Sequence, residues 1–126
     1  TGRTGGMRNI YIGALDFAKI GLLALNKGLW QGERLLSEAY IKELSTRHIY
    51  DENNGWYGYM WYIDETDIGG KTREFFYASG NGGNRLFVVP DEQLVISVQS
   101  SAYGYGYGHR RAGNILRLVL ATLAPE

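Results

Sequence analysis

Cysteine is missing from this 126-residue chain, which excludes disulfides, thiolate metal sites and a cysteine nucleophile and leaves the redox compartment open. Histidine is scarce. His48 and His109 stand far apart, with no clustered carboxylates beside them, so no metal ligand set is expected and no cofactor is implied. An excess of one charge is missing too: 13 basic residues balance 13 acidic ones. The basic residues are scattered, so the long-range field that draws proteins to nucleic acid or to an anionic membrane is absent. No apolar run is long enough to span a bilayer, and no basic-then-apolar leader opens the chain. Neither nucleic acid nor a membrane is an expected partner.

What remains is a chain with 44% hydrophobic residues, enough for one core of ordinary size and a single domain over residues 1–126. It opens TGRTGG, and its first methionine, Met7, already lies in patterned sequence. A start within a longer protein would look like this, and so would a processed end. From Ala14 to Asn26, Leu15, Ala18, Leu22 and Leu25 recur at helical spacing, with Phe17, Ile20 and Ala24 widening the stripe, which predicts a helix buried on that side. Lys27-Gly28 should end it, and Trp30 to Glu33 reads as a short link. Ser37 is a good N-cap for a second helix to about Ser45, with Glu38 well placed in its first turn.

After the turn cluster Asp51 to Gly55, the aromatic run Trp56 to Ile63 reads as a strand and Asp64 to Thr72 as a polar loop. Glu74 to Ser79, Arg85 to Val89 and Leu94 to Ser100 read as three more strands, the last two joined by a turn at Pro90 to Gln93. Tyr103 to Gly108, YGYGYG, reads as an ordered loop with partly buried rings. From Arg110 to Leu123, Ala112, Ile115, Leu116, Val119, Leu120 and Leu123 share one helical face. The expected fold is α+β: an antiparallel sheet of about four strands, with two N-terminal helices and a C-terminal helix packed on it and both faces covered.

Ala78 to Asn84, ASGNGGN, places three glycines in seven residues. As a phosphate loop it fails, because a Walker loop needs a lysine and a following helix, and a dinucleotide fingerprint must also open a helix. Here the stretch runs into a strand. A triad of Ser79, His109 and an acid is arithmetically possible, but the Gly-x-Ser-x-Gly elbow is absent. On this reading His109 caps a loop and His48 is a solvated residue near a helix end. The aromatic run and the tyrosine repeat are better read as packing than as stacking platforms for bases.

Taken together, Ala14-Leu15-Asp16-Phe17-Ala18-Lys19-Ile20-Gly21, Gly28-Leu29-Trp30-Gln31-Gly32 with Leu35-Leu36-Ser37-Glu38, Tyr57-Gly58-Tyr59-Met60-Trp61-Tyr62, and Tyr77 to Asn84 leading to Phe87-Val88-Val89-Pro90 carry a resemblance. The chain resembles the C-terminal part of the serine β-lactamase-like hydrolases, the superfamily of class C β-lactamases, penicillin-binding proteins and related esterases. The resemblance implies part of that family's αβα sandwich and an acyl-enzyme reaction on esters or amides. It also implies that Ala78, Ser79 and Gly80 stand where the family has Lys-Thr-Gly or His-Thr-Gly, and that the N–H of Asn81 is one oxyanion donor. Ala78 departs from the usual cation, which favours esterase- or amidase-like relatives over penicillin-type carboxylate recognition.

The family's nucleophile and base are missing: no serine here has a lysine three residues on, and no tyrosine has an asparagine two residues on. No catalytic residue is therefore expected in this chain, which would supply a pocket wall and part of the oxyanion hole to a longer protein acting on a small ester or amide. The alternatives are a non-catalytic binding or assembly module and one half of a split enzyme. Alone, the chain is expected to self-associate or to need its missing N-terminal half.

Overall fold

The computed structural model describes residues 10–124. Helix α1 (Ala14–Leu25) is followed by a small hairpin of β1 (Leu29–Trp30) and β2 (Glu33–Arg34), then by α2 (Glu38–Leu44). Strands β3 (Ile49–Asp51), β4 (Gly55–Tyr57), β5 (Tyr62–Ile68), β6 (Lys71–Gly80), β7 (Asn84–Val89) and β8 (Leu94–Val98) come next, and α3 (Tyr107–Leu123) closes the fold. Strands β3 to β8 form one antiparallel sheet in sequential order, and β1–β2 a second. The architecture is α+β.

The main sheet has six strands, not about four. One extra strand is β3, which pairs with β4 across a turn where Asp51 Oδ1 accepts from the N–H groups of Asn53 and Asn54. The other arises because the aromatic run from Trp56 to Ile63 is two strands. Gly58 lies so close to α2 that a Cβ there would stand 2.2 Å from the Leu44 carbonyl oxygen, and Met60 takes a left-handed φ of 65°. A left-handed residue cannot continue a strand, so the chain turns between β4 and β5. The polar stretch Asp64 to Thr72 is likewise no loop but the body of the β5–β6 hairpin. Gly69 and Gly70, at φ 61° and 75°, form its tight turn.

Helices cover both faces of the sheet. On one face Ala112, Leu116 and Leu120 of α3 meet Phe75, Tyr77, Phe87 and Val89. On the other, Ala24 of α1 with Ile41 and Leu44 of α2 meet Ile63, Phe76 and Val88. Ser37 caps α2 as its sequence predicts, accepting from the Tyr40 N–H at 3.1 Å.

Helix α1 is seated differently from the expectation. Its buried positions are Gly21 and Ala24, and a Cβ on Gly21 would stand 2.7 Å from Val95 Cγ1 and 3.0 Å from Leu86 Cδ1. Small residues let the helix lie close against β7 and β8. Of the expected stripe, Ala24 is buried and Phe17, Ala18 and Leu25 are half-buried, while its flanks face outward: Leu15 is 83% exposed and Leu22 39%. Strand β8 pairs with β7 alone among the described residues, so its other edge is open.

Candidate functional site

A groove of about 990 Å³ opens where β6 ends, and Ala78, Ser79, Gly80 and Asn81 all line it. Its geometry follows from unequal strand lengths. β6 pairs with β5 only as far as Tyr77↔Tyr62, whereas it pairs with β7 through Ala78↔Leu86, Ser79↔Arg85 and Gly80↔Asn84. Opposite Ala78 the chain has already turned away: the Trp61 carbonyl accepts from the Gly58 N–H at 2.7 Å. Among the described residues, Ala78 to Gly80 therefore present a strand edge with no partner strand on the β5 side. The Asn81 N–H, just beyond, donates to no acceptor among the described residues.

Alternation along β6 divides the side chains between the faces of the sheet. Ala78 is paired with Leu86 and follows Phe76, so it points toward the α1 face; Ser79, paired with Arg85, points toward the α3 face. Ser79 is exposed, and its hydroxyl makes no hydrogen bond among the described residues. Nor is it part of a triad. The ring of His109 lies in the first turns of α3 and takes a hydrogen bond on Nδ1 from Arg85 Nε at 3.3 Å, which puts its proton on Nε2. A triad base needs the opposite tautomer, with Nδ1–H donating to a carboxylate. Burial and the Arg85 charge both hold His109 below the usual histidine range. It is therefore helical rather than the loop cap expected from sequence.

His48 is exposed just past the end of α2, as expected, and is held there by local contacts. Its Nε2 lies 2.8 Å from the Glu43 carbonyl, and its ring stacks on Tyr59 with centroids 4.7 Å apart.

The glycines of the hairpin loop are explained by what presses on them. Gly82 and Gly83 have φ of 84° and 90°. A Cβ on Gly82 would stand 2.9 Å from the Tyr103 ring, and one on Gly83 would stand 2.6 Å from the backbone of Gly108. The loop is thus packed directly on the start of α3. Asn84 ties this region together: its Nδ2 donates to the Asn81 carbonyl at 2.7 Å, and its Oδ1 accepts from the Ser100 N–H at 3.0 Å.

The remaining walls of the groove were not anticipated from sequence. Phe17 of α1, Met60, Gln99, Ser100, Ser101 and Tyr103 contribute, as do Ile10, Tyr11 and Ile12. Gln99 Nε2 donates to the Ile12 carbonyl at 2.9 Å and so holds the segment before α1 against the wall. The tyrosine repeat also differs from expectation. Tyr103 and Tyr105 are well exposed, and Tyr107 already begins α3.

Among the described residues, no charged side chain lines the groove. Its chemistry is that of amides, hydroxyls and backbone groups set among apolar side chains, suited to an uncharged polar ligand of extended shape. Among the described residues there is no cluster of His, Asp or Glu able to hold a metal ion, and no helix long and apolar enough to cross a membrane. No protein-family model and no curated protein matches the chain, so the groove itself is what a functional reading has to explain.

Proposed function

We propose that this chain is the C-terminal segment of a serine hydrolase that acts on esters or amides through an acyl-enzyme, supplying one wall of the substrate pocket and half of the oxyanion hole. The observation that carries this reading is the unpartnered edge of Ala78 to Gly80 followed by the free N–H of Asn81. A substrate with an amide or ester backbone can lie along that edge as an added strand. Its carbonyl oxygen then sits where a backbone donor meets developing negative charge. Ala78 offers no cation, and neither do the other described residues of the groove, which favours uncharged acyl groups. Ser79 serves as wall rather than nucleophile, since no base is placed to take its proton.

The test is to read the coding sequence upstream of Thr1. An in-frame Ser-x-x-Lys with a later Tyr-x-Asn is expected, and a native start codon close to Thr1 would overturn the proposal. In the longer protein, Asn81→Pro removes the donor N–H and should lower kcat by about 10²–10³-fold. This chain alone should leave chromogenic esters intact; turnover abolished by Ser79→Ala would make Ser79 the nucleophile and refute the assignment.

A second reading, an assembly module without chemistry, is favoured by one observation. The outward residues of α1 are apolar and the open edge of β8 leaves backbone groups unpaired, and proteins cover both kinds of surface by association.

A further inference from the structure

A second cleft, of about 320 Å³, lies between α3 and strands β5 to β7 and shares no residue with the groove. Its lining is cationic on the helix side, where His109, Arg110 and Arg117 face Arg85 of β7. Among the described residues, Arg85, Arg110 and Arg117 form no ion pair, as is also true of Arg34, Lys42 and Arg111, and Arg117 Nη1 donates to Asn114 Oδ1 at 3.1 Å. Arg85 is half-buried, with its guanidinium 4.5 Å above the Tyr77 ring and its Nε on His109.

These cations outnumber the acids that face them. Helix α3 has no acidic residue in its first turn, where the helix dipole already places partial positive charge. The acids on the opposite wall are Asp64 and Glu65. Glu65 is engaged by Arg47 at 3.2 Å, and Asp64 Oδ1 accepts from the Glu65 N–H at 2.8 Å. With Glu65 held by Arg47, Asp64 is the one lining carboxylate among the described residues left to face Arg85, Arg110 and Arg117, so the cleft carries an excess of positive charge that an anion would balance. Phe75, Tyr77, Phe87 and Leu116 provide an apolar floor beneath the charged rim.

We infer that the cleft between α3 and the sheet binds a small organic oxyanion, with its phosphate or carboxylate head between Arg85, Arg110 and Arg117 and its apolar body on the aromatic floor. Arginine suits this role because its planar fork matches both head groups. The site is independent of the hydrolase reading and would stand if that reading fell.

Phenyl phosphate, benzoate and the neutral benzamide are the probes, each titrated into the chain while the His109 ring protons are followed by NMR. An anion bound beside Arg85 offsets its charge, so His109 should titrate higher in the saturated complex. Saturable shifts with phenyl phosphate or benzoate, weakened about tenfold by Arg110→Gln or Arg117→Gln, are expected, each lost contact being a charge-assisted hydrogen bond. The tighter of the two anions names the head group. Both variants replace exposed side chains on α3 and should leave the melting temperature unchanged. Absence of a saturable shift at ten millimolar probe, equal binding of benzamide, or undiminished affinity in the Arg110→Gln, Arg117→Gln double variant would overturn the inference.

Discussion

Replacing Gly83 with alanine tests how the hairpin loop is held. At φ 90° an L-residue is in a region open to glycine and costly to others, a penalty of about 1–2 kcal/mol. The added methyl would also stand 2.6 Å from the Gly108 carbonyl carbon and oxygen. Backbone cannot rotate aside as a side chain can, so the loop and the start of α3 must separate, at a further cost of about 1–3 kcal/mol. At about 4 °C per kcal/mol for a domain of this size, the combined loss lowers the melting temperature by about 8–20 °C. Gly70→Ala is the matched control, because it also sits at positive φ, 75°, but has nothing within 4 Å of its Cβ. Thermal melts followed by circular dichroism separate the two effects. If Gly83→Ala and Gly70→Ala lower the melting temperature equally, the loop does not pack on α3, and the position of Asn81 at the groove is wrong with it.

Other outcomes follow from the same reasoning. Gly113→Ala should raise stability by about 0.5–1 kcal/mol, since this helical glycine has only Arg117 Nη1 near its Cβ, at 3.7 Å; a lower melting temperature would count against the placement of α3. Glu92 holds the buried Arg73 at 2.6 Å, and Arg73 with Lys71 keeps its carboxyl below the usual glutamate value of 4.5. Because the folded value is the lower one, this stabilisation is present above pH 4.5 and is lost as the pH falls through the folded value. Urea melts between pH 7 and 3 should therefore show a Glu92→Gln variant with less acid sensitivity than the parent. The outward stripe of α1 and the free edge of β8 should make the isolated chain elute as a dimer or larger; monomeric elution at high micromolar concentration would refute this.

Much of the fold could be read from residue pattern because local chemistry and tertiary packing agree there. Ser37 caps α2, the Ala112, Leu116 and Leu120 stripe seats α3, and β7 and β8 emerge as apolar runs divided by Pro90. The seat of α1 was not legible. The expected stripe is broad, and only its middle, Gly21 and Ala24 with half-buried Phe17, Ala18 and Leu25, packs on the sheet, because small residues allow the close approach. Hydrophobic spacing gives the face but not how far its flanks are buried. The β5–β6 hairpin was hidden for a related reason. Its far end, Asp64 to Thr72, has polar residues on both faces, and only the pairing Asp64↔Phe75 through Ile68↔Lys71 shows it to be strand. In the groove, the run from Ala78 to Asn81 could be found by eye, but Met60 could not. Nothing in a methionine announces a left-handed φ, and that turn is what frees the edge of β6.

Helix α3 has one more consequence. Its sequence from Tyr107 to Leu123 holds three arginines, one histidine and no acid, in a chain whose formal net charge is zero at pH 7. The balancing acids lie elsewhere, so α3 is locally basic in a way that the chain's isoelectric point of about 6.7 conceals. Chromatography responds to the face presented, not to the sum. The chain should therefore be retained on a cation exchanger at neutral pH, oriented with α3 toward the resin, and should elute as salt shortens the screening length.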